Sequence, residues 1–190
     1  MIYPQHIVNP HYCDERLQEL LIFTICVAGK KASMIAPRVD QLFKWMQVRC
    51  GSPLPLNHGH LLPLDFYYHL SNFGIGCARM KSTAILQAAD LIAHNELDLR
   101  TCTVEELEAI YGIGPKSARA FIMWSRPGVR HAIIDTHILK WLKQQGVVKV
   151  PKATPTGKQY LRLEQEFLNR VPMDMSPAEF DLSIWKQFAA

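Results

Sequence analysis

Apolar side chains recur every three to four positions in segment after segment of this 190-residue chain, and no stretch alternates in the two-residue rhythm of a half-buried strand. A chain patterned in this way is restricted to an all-α fold. Residues 15–28 set Leu17, Leu20, Leu21, Thr24 and Ile25 on one face, and residues 33–48 repeat the pattern with Ile35, Val39, Leu42, Phe43 and Met46. Both read as core helices. Residues 50–63 hold Gly51, Pro53, Pro55, Gly59 and Pro63, which predicts a surface loop. Helices are expected again over 64–73 and 78–94, joined by Gly74-Ile75-Gly76.

Helix starts are marked chemically in the second half. Thr103 followed three positions later by Glu106 is a capping box for a helix over 104–110. Pro115 suits a first helical position, whose N–H has no partner in any case, and opens a helix to about residue 124. Asp135 can cap a helix carrying Ile138, Leu139, Trp141 and Leu142. After a loop over 147–157 comes a helix over 158–169, and Ser176 with Glu179 forms a second capping box for a closing helix, with Pro177 as its first residue. The total is nine or ten helices.

Composition narrows the class further. Hydrophobic residues make up 48% and charged residues 20%, which excludes a disordered chain and suits one folded unit. The formal net charge of +4 is compatible with a phosphate-binding surface without requiring one. The chain opens without a basic region followed by an apolar run, and the apolar segment 20–28 is too short to cross a bilayer, so a soluble, cytoplasmic protein is expected. Five cysteines, Cys13, Cys26, Cys50, Cys77 and Cys102, are scattered with no C-x-x-C pair, a pattern that supports neither a disulfide framework nor a zinc or iron-sulfur site.

Between the helices over 104–110 and 115–124 lies Tyr111-Gly112-Ile113-Gly114. Glycines in such a turn reach backbone conformations closed to other residues and let a ligand approach without meeting a Cβ. The following helix start leaves N–H groups unpaired and pointing outward, a ready site for a phosphate oxygen. Gly112, Ile113, Gly114 and Ser117 are the candidates for that contact. By itself a Gly-x-Gly turn serves packing just as well, so its neighbours have to decide.

Those neighbours run Leu107-x-x-Ile110-Tyr-Gly-Ile-Gly-Pro-Lys116-Ser-Ala-Arg-Ala-Phe121, and then Arg130-His-Ala-Ile-Ile-Asp135-Thr-His137. Here the sequence resembles the helix-hairpin-helix (HhH-GPD) DNA glycosylase superfamily, which includes endonuclease III and the 8-oxoguanine DNA glycosylases. Its hairpin has the form L-x-G-[VI]-G-x-K-x-A, and an aspartate opens the next helix as V/I-D-x-H. The segment from Ser176 to Trp185 resembles the closing helix of the compact archaeal-type 8-oxoguanine enzymes. The resemblance implies one two-lobed unit over 1–190. A hairpin lobe at about 30–130 would face a lobe built from both chain ends, with the active site in the cleft between them.

It also implies roles. Breaking the bond between sugar and base builds positive charge on the sugar, which a carboxylate stabilises where water is excluded; Asp135 is the candidate. Lys116 stands in the first turn of its helix, where the dipole disfavours an ammonium and burial does likewise, and a neutral amine is a nucleophile. Such a lysine implies lyase activity beside base release. A base flipped out of the duplex needs a pocket, and Trp141, Trp185 and Phe188 are candidates to stack on it, with Asp181 to bond its edge. As aromatics at helical spacing, Trp141 and Phe188 read more readily as core, and Trp185 equally as either. Arg79, Lys81, Arg119, Arg126 and Arg130 are candidate phosphate contacts, His131 and His137 read as structural, and the turn 27–32 lacks the amide side chain that relatives place near the orphaned base.

The function implied is a bifunctional DNA glycosylase and lyase of base excision repair acting as a monomer on double-stranded DNA, with 8-oxoguanine as substrate and a place on the nucleoid in a prokaryotic cell. No organic cofactor is expected, and no iron-sulfur cluster, because the four-cysteine set of endonuclease III-like enzymes is missing; hairpin carbonyls are compatible with a bound structural ion. Two other readings share the pattern: a glycosylase for a modified pyrimidine in foreign DNA, and a non-catalytic hairpin module that binds DNA.

Overall fold

The computed structural model describes residues 12–188, and every regular element among them is helical. The order is α1 (Asp14–Val27), α2 (Ala32–Cys50), a 3-10 segment (Pro55–Leu61), α3 (Phe66–Asn72), α4 (Ala78–Ala93), α5 (Val104–Glu108), α6 (Pro115–Ser125), α7 (Thr136–Gln144), α8 (Gly157–Leu168) and α9 (Pro177–Phe188). Two large cores divide the chain, and a small third cluster joins Ala120 and Met123 of α6 to Ile133. The larger takes Leu20, Phe23, Leu42, Phe66, Ile85 and Phe121 from the helices up to α6. The smaller takes Ile138, Leu142, Tyr160, Leu163, Phe167 and Ile184 from α7, α8 and α9.

Helix α1 differs from the expectation that both chain ends build one lobe. Ten consecutive residues, Leu17 to Cys26, are buried, which requires partners on every side of the helix. It finds them in α2, α4 and α6, so it belongs to the hairpin lobe. Residues 1–11, which the same expectation includes, lie outside the described residues.

The expected surface loop at 50–63 is instead partly internal, with Pro55, Leu56 and Gly59 buried against α4. Gln18 of α1 holds it in place, accepting from the Leu56 N–H at 2.9 Å and donating to the Asn57 side chain. A Cβ added at Gly59 would sit 2.4 Å from the Ala89 Cβ, well inside contact distance. Gly59→Ala is therefore expected to cost about 1–3 kcal/mol by forcing the segment off α4. Urea or thermal unfolding measures it; an unchanged midpoint would mean that the segment moves aside freely.

Two of the five suggested phosphate contacts are also internal, and a third, Arg126, is half-buried. Lys81 is 1% exposed and donates through Nζ to the Cys26 carbonyl at 2.6 Å, closing the C-terminal end of α1. Arg126 donates to the carbonyls of Cys102 and Leu99, and Arg119 is buried among carboxylates described below. Only Arg79 and Arg130 of that group are exposed.

Candidate active site

The hairpin is held from below by its core residues. Ile110 and Ile113 are buried, and the Ile113 N–H donates back to the Ile110 carbonyl at 3.0 Å. That bond corrects the reading of Ile113 as a phosphate contact: its donor is spent inside the turn and its side chain anchors the core. Gly112 has φ of +87°, in the left-handed region, and a Cβ there would press on the Met80 side chain at 3.0 Å. Gly114 caps α6 with nothing within 4 Å of where a Cβ would be, so its outer face is open. The helical ladder begins with the Ala118 N–H on the Gly114 carbonyl, leaving the N–H groups of Lys116 and Ser117 ahead of it.

This hairpin forms one wall of a cleft of about 1740 Å³ to which both lobes contribute. That volume exceeds an ordinary small-molecule pocket and suits a segment of polymer. Gly112, Gly114, Lys116 and Ser117 line it from the first lobe, and Asp135, His137, Asp181, Trp185 and Phe188 from the second. The turn between α1 and α2 adds Lys30 and Lys31.

Asp135 caps α7, its Oδ1 accepting from the His137 and Ile138 N–H groups at 2.8 and 2.9 Å. Oδ2 is thereby left outside the cap. Lys116, half-buried, is the second residue of α6, so the start of one helix from each lobe meets at the cleft. On α9, Asp181, Trp185 and Phe188 follow each other at four- and three-residue spacing and share its cleft-facing side. The rings of Trp185 and Phe188 lie 6.4 and 6.2 Å from the His137 ring, whose buried Nδ1 has no hydrogen-bond partner. Trp141 is placed elsewhere. It packs edge-on against Phe167 and Phe180 at 5.8 and 5.3 Å in the second core, because the side of α7 that carries it turns toward α8 and α9.

Asp181, in the lining of the cleft, is a carboxyl whose proton affinity is clearly raised. Burial pushes its pKa well up, the negative charge of Asp135 adds to this, and the positive charge of Lys116 opposes it. The folded chain therefore binds this proton more tightly than the unfolded chain, and stability falls as pH rises from about 4 through the raised value. Asp181→Asn removes the titration. The variant is expected to unfold with wild type near pH 3 and at a higher temperature than wild type at pH 7–8; equal melting at both would contradict this placement of Asp181.

The loop before α8, through Thr154 and Thr156, also lines the cleft, although nothing in its sequence marked it. Among the described residues no three His, Cys, Asp or Glu side chains gather as metal ligands do, and no helix is long and apolar enough to cross a membrane.

Comparison with known proteins agrees with this fold. A family model for the 8-oxoguanine DNA glycosylases of helix-hairpin-helix type matches residues 14–173. Among solved structures, the chain is similar to the 8-oxoguanine glycosylase/lyase of Methanocaldococcus jannaschii in complex with a 15mer DNA containing 8-oxoguanine, with 20% identity, a TM-score of 0.70, and coverage of 94% of this chain and 83% of that one. A second structure of an 8-oxoguanine DNA glycosylase from that organism matches at 22% identity and TM-score 0.64, covering 92% and 78% of the two chains. The 8-oxoguanine DNA glycosylase of Thermotoga maritima matches at 25% identity and TM-score 0.63, covering 92% and 80%. With the family model spanning most of its length and an all-helical fold similar to those solved structures, this chain belongs to the helix-hairpin-helix 8-oxoguanine DNA glycosylase family.

Proposed function

We propose that the cleft excises 8-oxoguanine from double-stranded DNA, with Lys116 as nucleophile and Asp135 as the charge that stabilises the transition state. The observation that supports this reading is the convergence of the α6 and α7 starts, which brings Lys116 and Asp135 from the two lobes into the lining of one cleft, with Asp181. One chain supplies both walls, so a monomer suffices. A lysine amine and a carboxylate supply all the chemistry, so no cofactor is needed.

The reaction runs in two stages. As the bond from the sugar C1′ to the base lengthens, its electron pair leaves with the base, and the Oδ2 of Asp135 faces the positive charge that develops on the sugar. The Lys116 amine bonds to C1′ and gives up a proton, and the base takes up a proton as it departs. The C1′–O4′ bond then breaks as the nitrogen lone pair forms the C1′=N bond; O4′ keeps the bonding pair and takes up a proton, which opens the sugar ring and gives a protonated Schiff base. Loss of a C2′ proton expels the 3′ phosphate with its bonding pair and cuts the strand; water finally releases the lysine. Gly114 and Ser117 hold a backbone phosphate at the hairpin, Trp185 and Phe188 flank the extruded base, and Asp181 bonds its edge.

The test is a labelled duplex carrying one 8-oxoguanine. Base release with strand cleavage on the 3′ side is the expected result. Cleavage confined to duplexes with a modified pyrimidine would move the substrate, and salt-sensitive binding without any excision would leave a DNA-binding module.

A further inference from the structure

The segment that delivers Asp135, residues 129 to 135, belongs to no helix or strand. The Asp135 N–H turns back to the Ile133 carbonyl at 2.8 Å and the Asp135 carbonyl accepts from Leu139, but the buried groups of Ala132 and Ile134 need side-chain partners. Two residues of α8, one turn apart, answer them. The Tyr160 hydroxyl donates to the Ala132 carbonyl at 2.8 Å and accepts from the Ile134 N–H at 3.1 Å. Glu164 Oε1 accepts from the Ala132 N–H at 3.0 Å and from His131 Nδ1 at 3.2 Å.

The same two side chains grip the helix that delivers Lys116. Arg119 lies one turn after Lys116 on α6, is 5% exposed, and donates through Nε to Glu164 at 2.8 Å, with its guanidinium 4.7 Å above the Tyr160 ring. Its NH1 reaches back to the Pro115 carbonyl at 3.3 Å, beside Lys116, and across the hairpin to Glu108 of α5 at 2.6 Å. Burial raises the Glu164 carboxyl's affinity for a proton, yet the His131 and Ala132 donors and the Arg119 charge outweigh it and hold its pKa below the usual range, so the group is a full negative charge.

From this geometry we infer that Tyr160 and Glu164 are positioning residues: through one turn of α8 they fix the Asp135 segment and the Lys116 helix to a common support, and so set the separation of the two groups across the cleft. A simple packing role does not call for this arrangement. A buried ion pair is poor at adding stability when well-packed apolar residues can fill the same space, but it is directional, and its loss lets both ends shift. A shift of about 1 Å in reacting groups costs on the order of 10²-fold in rate. The inference rests on the assignment of Lys116 and Asp135 above.

The experiment compares wild type, Tyr160→Phe and Glu164→Gln on an 8-oxoguanine duplex. It measures the single-turnover rate of base release, the Kd for a duplex carrying an uncleavable abasic analogue, and the melting temperature. The expected result is a fall of about 10- to 100-fold in the single-turnover rate with Kd unchanged within about twofold. Gly59→Ala, destabilised far from the cleft, is the control and keeps the wild-type rate per folded molecule. If Glu164→Gln fails to fold, Tyr160→Phe, which loses one hydroxyl, carries the test alone. Variants that melt earlier but release base at the wild-type rate per folded molecule would overturn the inference and leave the Lys116 and Asp135 assignment standing. A wild type that neither releases base nor forms a trapped adduct would overturn both.

Discussion

Lys116→Gln is expected to abolish the borohydride-trapped adduct and to slow strand cleavage by on the order of 10³-fold or more, about 4 kcal/mol of lost transition-state stabilisation. Glutamine cannot form a Schiff base, so the covalent route closes whatever else the variant retains. The fold is not the casualty. Lys116 is the second residue of α6, half-buried on the cleft wall, and glutamine matches lysine closely as a helix former. Stability is therefore expected to change by no more than about 0.5 kcal/mol. Any residual base release in this variant measures what Asp135 and a water molecule achieve without the amine.

Asp135→Asn is expected to lower the single-turnover rate by about 10²- to 10³-fold with little change in stability. The two effects separate because Asp135 holds two positions at once. Its Oδ1 caps α7 by accepting from His137 and Ile138, and an asparagine carbonyl oxygen accepts those bonds equally well. The negative charge proposed to face the sugar has no substitute in asparagine. Asp135→Ala should show the same loss of rate together with about 1 kcal/mol of lost stability, because the cap goes as well. If Asp135→Asn kept its rate while Asp135→Ala lost stability, Asp135 would be a helix cap and nothing more.

How much was legible in the sequence depended on the distance over which each feature is determined. The Thr103 capping box, the proline opening α6 and the Asp135 cap each depend on a few neighbouring residues, and all three form as their spacing dictates. The glycines that open the hairpin could be read for the same reason. Ile113 could not: whether its N–H faces a ligand or turns back to Ile110 is decided by how deeply the core pulls its side chain in.

Longer-range features stayed hidden. Arg119 and Glu164 stand 45 residues apart, and nothing in either neighbourhood announces a buried pair. Lys81 looked like any basic surface residue until α4 packed it against the end of α1, where the Cys26 carbonyl receives its charge. Trp141 and Trp185 are the same residue type at helical spacing. Only the packing of α7 against α9 decides that the first fills the core and the second lines the cleft. Gly59 carried the signal of a loop glycine, whereas its lack of a Cβ serves a close approach to Ala89.

The central claim, a covalent bond between Lys116 and the sugar, is tested most directly by borohydride reduction during turnover on an 8-oxoguanine duplex, followed by digestion and mass mapping of the modified peptide. The cleft offers other amines for comparison, since Lys30 and Lys31 line it as well. The account predicts a single adduct on the peptide that contains Lys116, absent from Lys116→Gln. An adduct on Lys30 or Lys31, or one that persists in Lys116→Gln, would contradict it.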